Sequence, residues 1–189
     1  MGTTQPIRDK EMIDRIKGYL LKKNHRDYLL FIICINTALR ISDILKLKWN
    51  DVYDFNAETV KKHIIVHEKK TKKKNIVASN TSVVKAIESY LKSTEIKNND
   101  YVFISRKGNN SPISRYRAYT IFRDAANKLG IEKFSCHSLR KTFGYHAWKQ
   151  NVSSVLLLEI YNHSSFSVTK KYLGIMQEDK DAVYYVNIL

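Results

Sequence analysis

Apolar residues recur at helical spacing along most of the chain. Ile13, Ile16 and Leu20 predict a helix over residues 9–23, and the next apolar run predicts a helix over 26–38 that is apolar on nearly every side and therefore buried. The segment RISDILKLKW predicts a short third helix. Further helices are predicted over 81–92, 114–129, 137–150 and 153–161, around position 172, and in the tail at 177–189.

Two short β-prone runs, KKHIIVHE and NIVAS, flank the lysine-rich stretch KKTKKK. They predict a hairpin whose loop carries the lysines, and the lack of a central Gly or Asn predicts a loop longer than two residues. The sequence has neither βαβ alternation nor a glycine-rich phosphate loop, which argues against nucleotide-dependent enzyme classes. The predicted fold class is α+β, mostly helical, with a small antiparallel β-sheet or hairpin.

The charge balance narrows the choice of partner. Lys and Arg number 33 against 18 Asp and Glu, which gives a formal net charge of +15. Nucleic acid is the commonest polyanion that such an excess binds. Binding to a membrane is not expected, because no long basic amphipathic helix with an exposed aromatic face is visible.

The two cysteines do not predict a metal site. Cys34 lies in the apolar run LLFIICI and is expected in the core, and Cys136 precedes a histidine without a second ligand pair at zinc spacing. We therefore expect neither a metal nor a cofactor. A reduced, cytoplasmic setting is expected, since the N-terminal stretch MGTTQPIRDK is polar and has no apolar signal segment.

Two short stretches hold candidate arginines. In CHSLRKTF, His137 and Arg140 are three residues apart and are predicted to project from one helix face. In NTALRISDILKLKW, Arg40 lies beside an apolar segment, and Asp43 is placed to orient its guanidinium. Both stretches are also compatible with surface residues on a basic helix, or with a local ion pair that has no function.

A third stretch, YNHSSFSVTKKYLG, holds His163 and Tyr172. Nine residues apart on one continuous helix, these two side chains would point to opposite sides. Asn162 can end a helix in the left-handed conformation, so the chain can fold back and bring both groups to one pocket. A packed tyrosine is the alternative for Tyr172, and a solvated loop is the alternative for the hairpin lysines.

The order of these groups is more specific than any one of them. The blocks TALRISDILKLKW, HSLRKTF and NHSSFSVTKKYL resemble the three motif blocks of the tyrosine recombinases, also called the phage-integrase family, and the resemblance extends over residues 8–173. It implies the fold of that family's catalytic domain. The catalytic set it implies is Arg40, Lys70, His137, Arg140, His163 and Tyr172, with Asp43 in the family's supporting acidic position.

Two positions depart from the family pattern. Lys72 stands where the hairpin turn usually has glycine, which leaves Lys69 and Lys72 open as alternatives to Lys70. Asn162 replaces the glycine before His163, a change that its backbone freedom tolerates.

The resemblance implies a site-specific DNA recombinase or integrase that cuts and rejoins strands through a 3′-phosphotyrosine intermediate, without ATP or metal. Tyr172 would attack the phosphorus, while two arginines bind the non-bridging oxygens, because their planar forks donate in pairs to phosphate. His137 would accept the tyrosine proton, Lys70 would protonate the leaving 5′ oxygen, and His163 would hydrogen-bond the phosphate. Other residues expected to contact double-stranded DNA are Lys69, Lys72, Lys73, Lys74, Arg115, Arg117 and Lys141.

Residues 1–174 are expected to form the catalytic domain, and the family's N-terminal DNA-clamping (core-binding) domain is expected to be absent. Residues 175–189 either dock on a neighbouring protomer of a tetramer on DNA, as the resemblance implies, or pack on their own domain. Two other functions stay open: strand relaxation like that of a type IB topoisomerase, and a non-catalytic DNA-binding module that retains the fold. The sequence predicts neither the DNA target nor a choice between integration, excision and dimer resolution.

Overall fold

The computed structural model describes residues 4–70, 72–107, 109–132, 134–163, 165–173, 175 and 177–186. Its helices are α1 (Lys10–Lys23), α2 (His25–Asn36), α3 (Ile41–Ile44), α4 (Trp49–Val52), α5 (Thr81–Leu91), α6 (Arg115–Leu129), α7 (Cys136–Lys149), α8 (Ser154–Tyr161), α9 (Phe166–Leu173) and α10 (Gln177–Val186). Its strands are β1 (Tyr53–Asp54), β2 (Thr59–Val60), β3 (His63–His67) and β4 (Lys74–Ala78). The predicted α+β, mostly helical class with a small antiparallel sheet is confirmed. No helix among the described residues is both long and apolar enough to cross a membrane.

Helix α2 lies at the centre of the core. Residues 29–33 are at most 1% exposed, and α1, α5 and α7 pack around them. The all-round apolar pattern of this segment is therefore satisfied by neighbours on every side. The helix ends two residues before the predicted boundary, because Ala38 turns the chain with a left-handed φ of 53°. That turn places Arg40 at the N-cap of α3, next to the core.

Local capping residues set the start of α1 and the end of α6. The Asp9 carboxylate accepts from the Glu11 N–H at 2.8 Å and begins α1. Gly130 ends α6 with a left-handed φ of 69°, which glycine adopts without steric cost.

The segment RISDILKLKW is less helical than predicted. Helix α3 has a single turn, and α4 begins only at Trp49. After α4 a small antiparallel pair joins β1 to β2, with Tyr53 opposite Val60. The sequence analysis missed this pair, since two-residue strands are too short to show any periodicity.

The lysine hairpin is confirmed. Strands β3 and β4 pair antiparallel, with His63 opposite Ala78 and His67 opposite Lys74. The side chains of Ile64 and Val66 point into the core, while Ile65 lies on the exposed face, as period-two alternation requires.

The loop of this hairpin, residues 68–73, is closed by two backbone hydrogen bonds. The Glu68 N–H donates to the Lys73 carbonyl at 3.0 Å, and the Lys72 N–H donates to the Glu68 carbonyl at 2.9 Å. Lys72 has a left-handed φ of 60°, which explains why a glycine is customary at this position.

Candidate active site

Helix α7 carries the HxxR pair. Ser135 caps the helix by accepting from the His137 N–H at 3.2 Å, so the pair lies in its first turns. The two side chains differ in burial: His137 is exposed to solvent, whereas Arg140 is only 3% exposed. Leu139, between them, is fully buried in the core.

Arg140 and Tyr161 hold each other through two reciprocal hydrogen bonds. Nη2 of Arg140 donates to the Tyr161 carbonyl at 3.0 Å, and the Tyr161 hydroxyl donates to the Arg140 carbonyl at 2.7 Å. The guanidinium carbon also lies 5.0 Å from the centre of the Tyr161 ring. Because Tyr161 is fully buried, these contacts fix Arg140 to the end of α8.

Gly144 makes room for this arrangement, and its replacement is our first prediction. A Cβ at Gly144 would lie 2.3 Å from the Tyr161 hydroxyl oxygen, so Gly144→Ala must displace the buried ring that holds Arg140. We expect a loss of about 2 kcal/mol in the free energy of unfolding, the usual cost of overpacking a core. Denaturant unfolding of the wild type and the variant measures it.

Gly18→Ala is the matched control for Gly144→Ala. Gly18 lies on the exposed side of α1 with nothing within 4 Å of an added Cβ. Alanine should therefore stabilise the protein there by about 0.5–1 kcal/mol, as in any exposed helix interior. Equal stability changes at Gly144 and Gly18 would contradict the packing argument.

His163 lies beside this pair as the sequence predicted. Asn162 ends α8 in the left-handed conformation with φ 52°, and the chain turns back into α9. The His163 ring stacks on Tyr161, with 5.0 Å between ring centres and 10° between planes. Its Nδ1 is hydrogen-bonded to the Thr169 hydroxyl at 3.1 Å, which connects it to α9.

Arg40 has a different partner from the predicted one. Its Nη1 pairs with the carboxylate of Glu68, which is 1% exposed and lies at the start of the lysine loop. Asp43 does not orient the guanidinium; it is buried, and its Oδ1 accepts from the Lys69 N–H at 3.2 Å. The prediction for Asp43 was therefore wrong in its contact, since the acid supports the hairpin loop instead of Arg40.

The two arginines share one electrostatic environment. Burial, together with the charges of Arg140 and Arg40, lowers the pKa of His163 to about 4. Partial desolvation of the ring also lowers the pKa of His137, although the residue is exposed, and the charges of Arg140, Lys141, Arg40 and Lys70 act in the same direction. Groups from α3, the hairpin, α7 and the α8–α9 turn thus converge, and both histidines are held neutral at neutral pH.

Tyr172 lies in α9, which packs on α7 and α8. Thr169 and Leu173 of this helix are fully buried, so the segment is anchored on the elements that carry His137, Arg140 and His163. The side chain of Tyr172 itself lies outside the described part of the structure.

The residues predicted to contact DNA form two exposed groups and one half-buried position. Lys69, Lys72, Lys73 and Lys74 are exposed on the hairpin, and Arg115 and Arg117 are exposed at the start of α6. Lys141 is half-buried, and its ammonium donates to the Thr4 carbonyl, with its pKa lowered by burial.

A basic cavity of about 600 Å³ lies away from the convergent arginines. It adjoins the first turn of α2, whereas Arg40 follows the last turn, about 18 Å along the helix axis. Its basic lining residues are Lys23, Arg26, Arg106, Lys107 and Arg117. Five basic side chains against one acid, Asp27, give this cavity an excess of positive charge that fits contact with a polyanion.

Sequence reasoning missed Glu68, Tyr161 and Gly144. A single acid directly before a lysine run was a visible signal for Glu68, because a lone carboxylate there is available to pair with a distant arginine. Tyr161 is one of twelve tyrosines, and its role depends on tertiary contacts that the sequence does not display.

Comparison with known proteins decides the family. The model of the phage integrase family matches residues 8–178, almost the whole chain. The chain belongs to the phage integrase family. A relative within it, a probable integrase/recombinase named YoeC from Bacillus subtilis, is 45% identical over 186 residues, covering 98% of each protein. The recognition made from the three motif blocks is therefore confirmed.

Solved structures confirm the phage-integrase fold. A crystal structure of the XerA recombinase superposes with a TM-score of 0.77 at 24% identity, covering 96% of this chain and 63% of that one. The XerH site-specific recombinase, bound to its palindromic difH substrate in a post-cleavage complex, gives 0.76 at 18% identity, covering 98% of this chain and 54% of that one. This member of the family thus spans nearly all of YoeC but less than two thirds of these two solved recombinases.

The lowered pKa of His163 predicts that the free energy of unfolding of this integrase-family chain depends on pH. The unfolded histidine titrates near 6.5 and the folded one near 4, so below pH 6.5 the unfolded state binds a proton that the folded state does not. Stability should therefore fall as the pH drops from about 6.5 to about 4. His163→Gln should flatten this slope in urea unfolding curves recorded across that range.

His63→Gln is the control for the pH experiment. His63 is exposed at the start of β3, and its loss should leave the slope unchanged. A slope that His163→Gln does not alter would show that other groups carry the acid sensitivity.

Proposed function

We propose that the chain is a site-specific DNA recombinase that cuts and rejoins strands through a covalent 3′-phosphotyrosine at Tyr172. The observation that carries this proposal is the convergence of Arg40 and Arg140 on His137 and His163, within a chain of the phage integrase family. Two guanidinium groups beside two neutral imidazoles fit one phosphodiester group, whose transition state carries additional negative charge.

The cutting step follows from the groups present. The phenolic oxygen of Tyr172 attacks phosphorus, its proton passes to His137, and the bond to the 5′ oxygen breaks. Lys70 gives that oxygen a proton. His137 suits its role because burial and nearby cations lower its pKa and keep it neutral before the reaction. His163, neutral for the same reason, can hydrogen-bond a non-bridging oxygen without adding charge.

Rejoining is the reverse of cutting. A 5′ hydroxyl attacks the phosphotyrosine and returns its proton to Lys70, the tyrosine leaves with the proton returned by His137, and the phosphodiester is restored. Because the free energy of the broken bond is kept in the phosphotyrosine, the cycle needs no ATP. The arginines supply the charge stabilisation that metal ions provide in other phosphoryl-transfer sites, so we expect activity in the presence of a chelator.

Double-stranded DNA is the proposed partner. The XerH and lambda integrase structures that share this fold contain their DNA sites, and the net charge of +15 supports the same ligand here. The exposed lysines of the hairpin and Arg115 and Arg117 at the start of α6 are the proposed backbone contacts.

Residues 1–174 are proposed as the catalytic domain, with residues 175–189 docking on a neighbouring protomer in a tetramer on DNA. The start of α10 is held within its own chain, since Asp179 pairs with Lys149 at 2.8 Å and with Arg8 at 3.7 Å. Farther along, Tyr184 and Tyr185 are 79% and 81% exposed. Two adjacent exposed tyrosines provide the apolar area that a protein contact needs.

Truncation after Gly174 tests this docking role. We expect the shortened chain to bind a single DNA half-site but to lose higher assemblies in sedimentation on full-site DNA. Tyr184→Ala with Tyr185→Ala in the full chain should have the same effect without removing the Asp179 contacts. Assembly unchanged by both alterations would assign the segment to its own domain.

The proposed chemistry is tested by trapping the covalent complex. Binding sites are first selected from a random duplex pool, and a nick placed beside the scissile phosphate then prevents religation. A denaturant-resistant complex whose linked peptide contains Tyr172 is expected. Supercoil relaxation without recombinants would favour the topoisomerase-like alternative, and tight binding without any adduct would favour a non-catalytic module.

A further inference from the structure

Glu68 is a buried carboxylate that the predicted chemistry does not use. It is 1% exposed, lies at the junction of β3 with the lysine loop, and pairs with Nη1 of Arg40. Its other oxygen accepts from Nδ2 of Asn75 at 3.2 Å. A buried carboxylate is costly unless it is paired and hydrogen-bonded, so this position has a specific structural requirement for its partners.

The backbone of the same residue organises the lysine loop. The Glu68 N–H and carbonyl make the two hydrogen bonds, to Lys73 and from Lys72, that close the loop around Lys70. The next amide, of Lys69, donates to Asp43 in α3, one turn from Arg40. Arg40 and the loop that carries Lys70 are therefore connected through one short, buried set of contacts.

The charge of Glu68 also acts on the rest of the site. It raises the pKa of His163, opposing the larger effects of Arg140 and Arg40. The charge of Lys70 reaches both His163 and His137, although its side chain is exposed. The hairpin thus contributes one negative group at its base and one positive group in its loop to the same site.

We propose that Glu68 is a positioning residue that couples Arg40 to Lys70. It holds the arginine that binds the phosphate and the lysine that protonates the leaving oxygen at a fixed position relative to each other. The inference rests on the proposed strand-cutting function. Glu68 itself does not touch the DNA; its side chain holds the guanidinium and its backbone holds the loop. Glu68→Gln keeps the shape, and its amide oxygen can still accept from Arg40, but its amide nitrogen cannot accept from Asn75, so the base of the loop loosens while the guanidinium keeps a partner.

The test compares two nicked duplexes that differ in one atom, the 5′-bridging oxygen or a sulfur in its place. A thiolate leaves without being protonated, because thiols ionise near pH 8.5, so the sulfur duplex does not need Lys70. We expect Glu68→Gln to cut the oxygen duplex at least tenfold more slowly than the wild type, and to cut the sulfur duplex within about threefold of it, as lost acid catalysis predicts.

A double variant checks the coupling directly. With Lys70→Ala already present, adding Glu68→Gln should slow cutting of the oxygen duplex by less than about threefold, because the two changes remove the same step. The proposal is refuted if the rate effects of Lys70→Ala and Glu68→Gln multiply, if Glu68→Gln has an equal defect on both duplexes, or if it cuts the oxygen duplex like the wild type. Glu88→Gln, the same change at an exposed site on α5, is the control and should cut like the wild type.

A measurement without DNA separates this proposal from the proposed function. Hydrogen exchange at the Lys69 and Lys72 amides should quicken at least tenfold in Glu68→Gln and stay unchanged in Glu88→Gln, if Glu68 holds the loop. If the wild type forms no adduct while exchange quickens, the strand-cutting function fails and the anchoring of the loop stands. Unchanged exchange refutes the positioning role whatever the activity.

Discussion

Tyr172→Phe should abolish the covalent DNA adduct while DNA affinity and the unfolding free energy stay at wild-type values. The substitution removes one oxygen, the proposed nucleophile, and a phenyl ring cannot form an ester with phosphorus. Tyr172 lies in α9, anchored on α7 and α8 through the buried Thr169 and Leu173, so the ring change leaves the helix in place. Denaturing gels on the nicked duplex measure the adduct, and filter binding measures affinity.

Two other tyrosines serve as controls for this result. Tyr184→Phe and Tyr185→Phe make the same change at exposed positions on α10, beyond the proposed site, and should form adduct at wild-type rates. An adduct that persists in Tyr172→Phe would refute the assignment, and peptide mapping would then identify the true nucleophile.

Most of the fold could be predicted from the sequence because its elements follow local rules. The α1 cap depends on Asp9 and the first turn, the end of α6 depends on Gly130, and the hairpin depends on alternation in β3 and β4. The β1–β2 pair was missed because each strand has two residues, a length at which no pattern exists.

The sequence predicted which residues belong to the candidate site better than it predicted the contacts those residues make. The motif blocks supplied Arg40, His137, Arg140 and His163, and the structure brings their charges and rings together. The partner of Arg40 could not be predicted in the same way. Asp43, three residues on, was the local choice, but the one-turn α3 carries Arg40 at its N-cap and directs it to Glu68, 28 residues away.

The positions of His137 and Arg140 illustrate the same limit. Spacing alone predicts that His137 and Arg140 share a face, yet His137 is exposed and Arg140 is buried, because Tyr161 of α8 covers the Arg140 guanidinium whereas His137 lies in the first turn of α7. That difference in depth gives His137 access to a proton and gives Arg140 a low-dielectric environment in which its charge acts more strongly.

Arg140→Ala should lower the rate of strand cutting by about 10²–10³-fold, the usual cost of removing a buried donor to a transition-state oxygen. The guanidinium is held by the Tyr161 carbonyl and ring, so its fork is oriented before DNA binds. Arg140→Lys should recover little of the rate, since an ammonium keeps the charge but cannot donate to phosphate as a planar fork. Single-turnover cutting of the nicked duplex measures both variants.

A duplex with a methylphosphonate at the scissile position separates lost charge stabilisation from lost structure in Arg140→Ala. The methyl group replaces a charged non-bridging oxygen, so the transition state needs less positive charge around it. The defect of Arg140→Ala should therefore shrink at least tenfold on this duplex. A defect of the same size on both duplexes would mean that the residue acts through the Tyr161 contacts and the packing of α8, and that the phosphate is bound by other groups.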